Sequence, residues 1–339
     1  DGWFALHERW GRLAMSDVLE APISYANNGF PLTPVIAAGF ESNRNRFDAV
    51  ASMIEERDNA TKTYFPNGVA PKAGAVFKNP DLAETLTALA KHGRSAFYEG
   101  SIARAMVDYF ESIDADLTLD DLTAHRGEWV EPRGVDYHGY TLYQLPPNGQ
   151  GFAALMMLNI LKQVDLRRFE RGSPELFHYM VEAKRLAFEA MAGTFADPAY
   201  SAIPIDALLS DEFAKRQFSR IRPDQVIEPQ HLAVPLEGEG DTTYLTVVDG
   251  EGMMVSLIQS NYRGMGSGLV PTGLGFMLQD RGELFSLDPS HPNVYAPGKR
   301  PFHTIIPAFL MKNGAPFMSF GLMGGGMQPQ GHVQVLVNI

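Results

Sequence analysis

Hydrophobic and polar residues fall into two regimes that meet near residue 235. Residues 1 to about 235 carry mostly helical spacing. Phe152 to Leu161 is apolar at almost every position, which predicts a helix buried on all sides. A second helix is expected to start at Ser173 as N-cap with Pro174 in its first turn. Its apolar residues Leu176, Phe177, Met180, Ala183 and Ala187 recur at helical intervals, and Gly193 and Pro198 lie beyond its end. After the polar, glycine-rich Glu237-Gly-Glu-Gly-Asp241 the character turns to strands. Thr243–Val248 and Met253–Gln259 are predicted to form a hairpin across Asp249-Gly-Glu-Gly252. A second hairpin is predicted between Thr304–Met311 and Ala315–Phe320 across Asn313-Gly314, the strongest short turn signal. Gly324-Gly325-Gly326 precedes a final helix-like stretch. The pattern thus gives a helical first part and a sheet-rich second part joined at a mobile loop.

Composition narrows the function classes. The chain has 339 residues, 45% hydrophobic and 20% charged, and its net charge is −12. That balance repels phosphate, so nucleic acid is not an expected partner. No apolar run approaches the roughly 20 residues of a membrane helix, so no membrane partner is expected either. With no cysteine, disulfides, thiolate metal sites and a Cys nucleophile are excluded. The nine His residues are scattered without zinc-type spacing, and Asp114–Asp121 lacks the glycine and terminal Glu of a calcium loop, so no metal is expected. The chain opens at Asp1-Gly2-Trp3-Phe4-Ala5, without initiator Met or signal pattern, and stops within a helix-like stretch. It is therefore expected to lie inside a longer polypeptide.

Asp241-Thr242-Thr243, taken alone, reads as the polar start of a strand. Its surroundings say more. Glu237-Gly-Glu-Gly-Asp-Thr-Thr-Tyr-Leu-Thr-Val-Val-Asp249 resembles the processing site of the γ-glutamyltranspeptidase family, members of the N-terminal-nucleophile hydrolases. Leu145-Pro-Pro-Asn-Gly-Gln-Gly151, Leu155–Leu161, Phe97-Tyr-Glu-Gly-Ser101, Leu117–Leu122, Pro297-Gly-Lys-Arg-Pro301 and Gly324-Gly325 resemble further blocks of that family, in its order. The resemblance implies a four-layer αββα sandwich that cuts itself between Asp241 and Thr242. It would leave a large-subunit portion (1–241) and a small-subunit portion (242–339), intertwined as one domain.

The chemistry is consistent on its own terms. A new N-terminal Thr242 supplies a hydroxyl nucleophile and its own α-amine as general base, with no organic cofactor or metal. That amine titrates near neutrality, which suits a base. Gly324 and Gly325 read as a flexible turn or a phosphate loop, the latter lacking the Gly-Lys-Ser/Thr ending; the resemblance makes their N–H groups the oxyanion hole. Ser260 stands where the family has a Thr that hydrogen-bonds the nucleophile, and a serine hydroxyl can do the same, with a solvated strand serine close behind as the other reading.

The donor-binding positions depart from the family. Tyr262 replaces an Asn, Arg281 stands in the stretch that grips the donor α-amino group, and His303-Thr304 replaces a Ser-Ser pair that holds the α-carboxylate. An Arg repels an ammonium and attracts a carboxylate. These changes resemble a subgroup that includes glutaryl-cephalosporin acylases. The expected substrate is a γ-glutamyl amide such as glutathione, with a glutaryl amide as the alternative and water ahead of an amino acid as acceptor. A non-catalytic, unprocessed binding protein is the alternative of another class. The expected location is soluble, cytoplasmic ahead of periplasmic or secreted.

Overall fold

The computed structural model describes residues 1–228 and 240–339, and only the backbone of Gly240 and Asp241. It divides into two compact units. Unit 1 is Asp1–Trp129 with Gly264–Gln279, and unit 2 is Val130–Arg263 with Asp280–Ile339. Each unit therefore draws on sequence from both sides of position 242.

Unit 1 is helical. Its main helices are α1 (Met15–Asn28), α2 (Pro34–Ala49), α3 (Pro80–His92) and α4 (Ser101–Ser112). Thr33 caps α2, its hydroxyl accepting from the Ile36 N–H, and Asn79 caps α3 in the same way through Leu82. Both helices carry Pro in the first turn, where the missing N–H costs nothing. The 264–279 segment is held to these helices by side chains that take up its backbone groups. Asn43 Oδ1 accepts from the Met265 N–H at 2.8 Å, and Asn59 Nδ2 donates to the Val270 carbonyl at 3.0 Å. Thr85 Oγ1 donates to Leu274 O and Asn79 Nδ2 to Gly275 O, at 2.8 and 2.7 Å. Asn79 and Thr85 are buried, so these bonds satisfy groups that would otherwise be desolvated without a partner.

Unit 2 is built on helices α5 (Gly151–Leu161), α6 (Pro174–Ala192) and α7 (Gln328–Asn338). All eleven residues of α5 are buried, as its almost wholly apolar sequence predicts, and the one amide among them, Asn159, donates to Leu209 O at 2.9 Å. Ser173 caps α6 through the Leu176 N–H at 3.2 Å, and Gly193 follows its last residue.

Among the described residues six strands complete the unit: β1 (Arg133–Tyr137), β2 (Tyr140–Gln144), β3 (Gly240–Val248), β4 (Met254–Arg263), β5 (Ala308–Lys312) and β6 (Ala315–Phe320). β1-β2-β5-β6 form one antiparallel sheet, and β3-β4 form a two-stranded one. The two meet where Thr246 Oγ1 bonds Ser319 and the Tyr244 ring covers Gly321.

Several boundaries differ from the sequence reading. The β1–β2 hairpin was not anticipated; its turn is His138-Gly139, both at positive φ (53° and 84°), and histidine is a weak marker of such a turn. The strand expected from Thr304 starts only at Ala308. Pro307 has no N–H for a ladder, and the Ile306 N–H goes instead to Gln328 Oε1 at 3.1 Å. β3 begins at Gly240, earlier than Thr243, and β4 runs on to Arg263. The anticipated mobile junction and Glu237–Glu239 lie outside the described residues.

His332 sits fully buried on α7, its Nδ1 accepting from Gln144 Nε2 at 2.9 Å. Burial lowers its pKa from 6.5 to about 3, so it stays neutral in the folded protein. An unfolded His binds a proton below pH 6.5, so its contribution to stability is present above that pH and is lost as pH falls toward 3. Stability is expected to drop by ~2–3 kcal/mol between pH 7 and 4.5 through this group alone. Thermal melts across that range check it: His332→Gln should flatten the acid limb, and an unchanged limb refutes the assignment.

Candidate active site

Thr242 lies near the start of β3, directly opposite Ser260 on β4, and is only 5% exposed. Its hydroxyl donates to Ser260 Oγ at 3.2 Å. The same Ser260 oxygen accepts the backbone N–H of Tyr262 at 2.8 Å. Asp241 stands across the strand pair from Tyr262.

Tyr262 leads to the next group. Its buried ring lies 5.3 Å from the Arg281 guanidinium carbon. Arg281 opens a 3₁₀ turn, Arg281–Leu284, and is 8% exposed. Its Nη1 donates to Thr304 Oγ1 at 3.3 Å. Burial lowers the Arg281 pKa to about 10, which still leaves it a cation at neutral pH. The Tyr262 hydroxyl is pushed upward, first by burial and then by the charge of Glu283. Arg263 and Glu283 form an ion pair alongside.

His303-Thr304 is fixed by the loop before α5. The His303 N–H donates to Asn148 O, and the Gln150 N–H donates to His303 O, both at 3.1 Å. A Cβ on Gly149 would stand 2.7 Å from His303 Cε1, so the ring packs against bare backbone there. Burial, and then the Arg281 charge, hold the His303 pKa down at about 4.

Gly324 and Gly325 form the turn into α7 at φ 115° and 54°, where a Cβ is unfavourable. The strand that carries Thr242 contacts the Gly325–Met327 turn. Gln150, fully buried, joins the two halves of the site: its Nε2 donates to Thr304 O at 2.5 Å and Gly325 O at 2.8 Å. Thr242, Ser260, Tyr262, Arg281, Thr304, Gln150 and Gly325 thus form one connected series.

Gln150 was not singled out from sequence. The available signal was an amide at the head of a helix apolar but for Asn159, where it must find polar partners. Beside the series, a cavity of about 460 Å³ is lined by Met191, Phe195, Arg263, Glu283, Phe285 and Phe302 among others. Its size is that of a small-molecule site. Among the described residues, no group of three or more His, Asp or Glu side chains could hold a metal ion, and no helix is long and apolar enough to cross a membrane.

The family model described as gamma-glutamyltranspeptidase matches residues 1–339. The chain belongs to that family. Among its relatives, the glutathione hydrolase-like YwrD proenzyme of Bacillus subtilis is 39% identical over 100% of this chain and 62% of its own length. The oxamate amidohydrolase proenzyme of Klebsiella pneumoniae is 34% identical over 94% of the chain and 58% of its own length. Among solved structures, a cephalosporin acylase from Bacillus halodurans superposes with a TM-score of 0.89 at 39% identity, covering 99% of this chain and 61% of that one. The chain thus spans about three fifths of the length of these relatives.

Proposed function

We propose that this family member is a self-processing N-terminal threonine hydrolase that cleaves γ-glutamyl amides such as glutathione. The observation that carries the reading is the Thr242 hydroxyl, buried and donated to Ser260 Oγ, at the head of a strand touching the glycine turn. In maturation, Thr242 Oγ1 attacks the Asp241 carbonyl carbon and the bond to the Thr242 nitrogen breaks, with the hydroxyl proton passing to that nitrogen. Water then hydrolyses the ester, leaving the Asp241 carboxylate and a free Thr242 amine.

In turnover that amine takes the hydroxyl proton as Oγ1 attacks the substrate amide. The N–H groups of Gly324 and Gly325 stabilise the oxyanion, and the leaving amine departs with a proton. Water, ahead of an amino acid, then releases the acyl group from Thr242.

We assign the fold to the four-layer αββα arrangement, with 1–241 and 242–339 as portions of two subunits. The mixture of helices and antiparallel sheets and the likeness to the acylase structure support it. The intertwining of the two portions is supported by their shared presence in both units.

Tyr262, Arg281, His303 and Thr304 are assigned to the acyl donor. The buried Arg281 cation tied to Thr304 also supports a second reading, a glutaryl or similar dicarboxylic amide without the α-ammonium. The relatives' names include a glutathione hydrolase-like proenzyme, an oxamate amidohydrolase and a cephalosporin acylase, so more than one acyl donor occurs among them. Rates on γ-glutamyl and glutaryl anilides, which differ only in the α-amino group, separate them. Hydrolysis of the γ-glutamyl anilide at comparable or higher kcat/KM is expected. A preference of about 100-fold or more for glutaryl, the size of a buried charge mismatch, overturns the donor assignment in favour of the second reading.

A further inference from the structure

Strands β3 and β4 pair in one register from Val248 opposite Met254 to Thr242 opposite Ser260. The next partner of Asp241 is Tyr262, not Asn261, so Asn261 is an extra residue set against the Asp241–Thr242 bond. Such a bulge interrupts the ladder and bends the strand that carries it. Tyr262 has φ +83°, a region that a bulky side chain enters only when its surroundings hold it there.

Those surroundings are visible. Asp280 grips the bulge at two points: its N–H donates to Asn261 O, and its Oδ1 accepts from the Arg263 N–H, both at 3.1 Å. Between them, the Tyr262 N–H turns away from the ladder to Ser260 Oγ at 2.8 Å. That oxygen also receives the Thr242 hydroxyl. With the Thr242 hydrogen aimed at Ser260, the remaining lone pairs of Oγ1 point elsewhere. In a regular strand Asn261 would stand opposite Asp241, and Tyr262 and Arg263 would exchange faces.

We propose that Tyr262 is a positioning residue for self-cleavage, its left-handed backbone creating the bulge through which Ser260 orients the Thr242 hydroxyl toward the Asp241 carbonyl. This rests on the self-processing reading and adds to it. Tyr262 then acts before any substrate is present, and acts through its backbone rather than its ring. The step it serves forms the Oγ1–carbonyl carbon bond, breaks the Asp241–Thr242 C–N bond and moves the hydroxyl proton to the nitrogen.

The test follows conversion of the full-length precursor by intact mass after a short pulse of cell-free synthesis. Tyr262→Gly removes the ring but keeps positive φ accessible, and Tyr262→Asn tolerates it. Tyr262→Val keeps an apolar side chain and disfavours that φ. Conversion is expected within about twofold of the unaltered protein for the Gly variant, and slower by about tenfold or more for the Val variant, with Asn between them. Asp280→Ala, which leaves Tyr262 in place and loosens the bulge, is expected to slow conversion too. Equal conversion of the Val variant, the Asp280→Ala variant and the unaltered protein overturns the proposal. Slowing of Gly and Val alike also overturns it, by giving the role to the ring. Failure of the unaltered protein to convert is a distinct result that removes the self-processing reading and this inference together.

Discussion

Thr242→Ala is expected to yield one uncut polypeptide with donor hydrolysis lowered by about 10⁴-fold or more. Both losses follow from one atom. The hydroxyl that would open the Asp241–Thr242 bond is the hydroxyl that would take the acyl group, and in the structure it is the atom held by Ser260. Thr242→Ser keeps an oxygen at that place and should regain cleavage, with a new N-terminal Ser in the smaller fragment. Denaturing gels and intact mass read the cut, and anilide hydrolysis reads the turnover. Turnover that survives the alanine change would remove Thr242 from the chemistry. Cleavage that survives it would assign the cut to another agent.

Gly325→Val is the second change with a large expected effect. Nothing lies within 4 Å of a Cβ built on Gly325, so the cost is conformational rather than a collision. At φ 54° a β-branched residue is strongly disfavoured, by about 1–2 kcal/mol on local grounds. The turn is expected to shift and swing its N–H groups away from the developing oxyanion, lowering kcat by about 10²–10³-fold with little change in KM. The thermal midpoint should fall by only a few degrees. A kcat within about threefold of the unaltered enzyme would take the turn out of the oxyanion hole.

What could be read from sequence depended on how local its cause was. The buried α5 was legible because eleven buried residues leave no room for a polar face. The start of α6 was legible because Ser173 and Pro174 act within one turn. Asn313-Gly314 announced its hairpin because both residues tolerate the positive φ they adopt, 50° and 80°. The β1–β2 hairpin was missed because its pairing with β5 joins residues some 170 positions apart and its turn begins with a histidine. Pro307 could have shortened the predicted strand, since it has no N–H for a ladder.

The site divides along the same line. Thr242, Ser260 and the two glycines stood out through a motif, whereas Gln150 offers only an amide ahead of a nearly apolar helix, and its importance lies in two carbonyls 154 and 175 positions away. The bulge at Asn261 was equally hidden. Register is a property of two strands together, and Tyr262 offers no glycine to mark its left-handed backbone.

The 264–279 segment, fastened into unit 1 by Asn43, Asn59, Asn79 and Thr85, carries a consequence for the life of the molecule. It lies after Thr242 in sequence, while the helices that hold it lie before. If the Asp241–Thr242 bond opens as proposed, those side-chain bonds join two separate polypeptides. Refolding from the denatured state then becomes an encounter between two molecules, slowed by dilution, where the precursor needed only one chain. Maturation would act as a ratchet: the fold is assembled while the chain is whole, and afterwards it persists by the slowness of its unfolding.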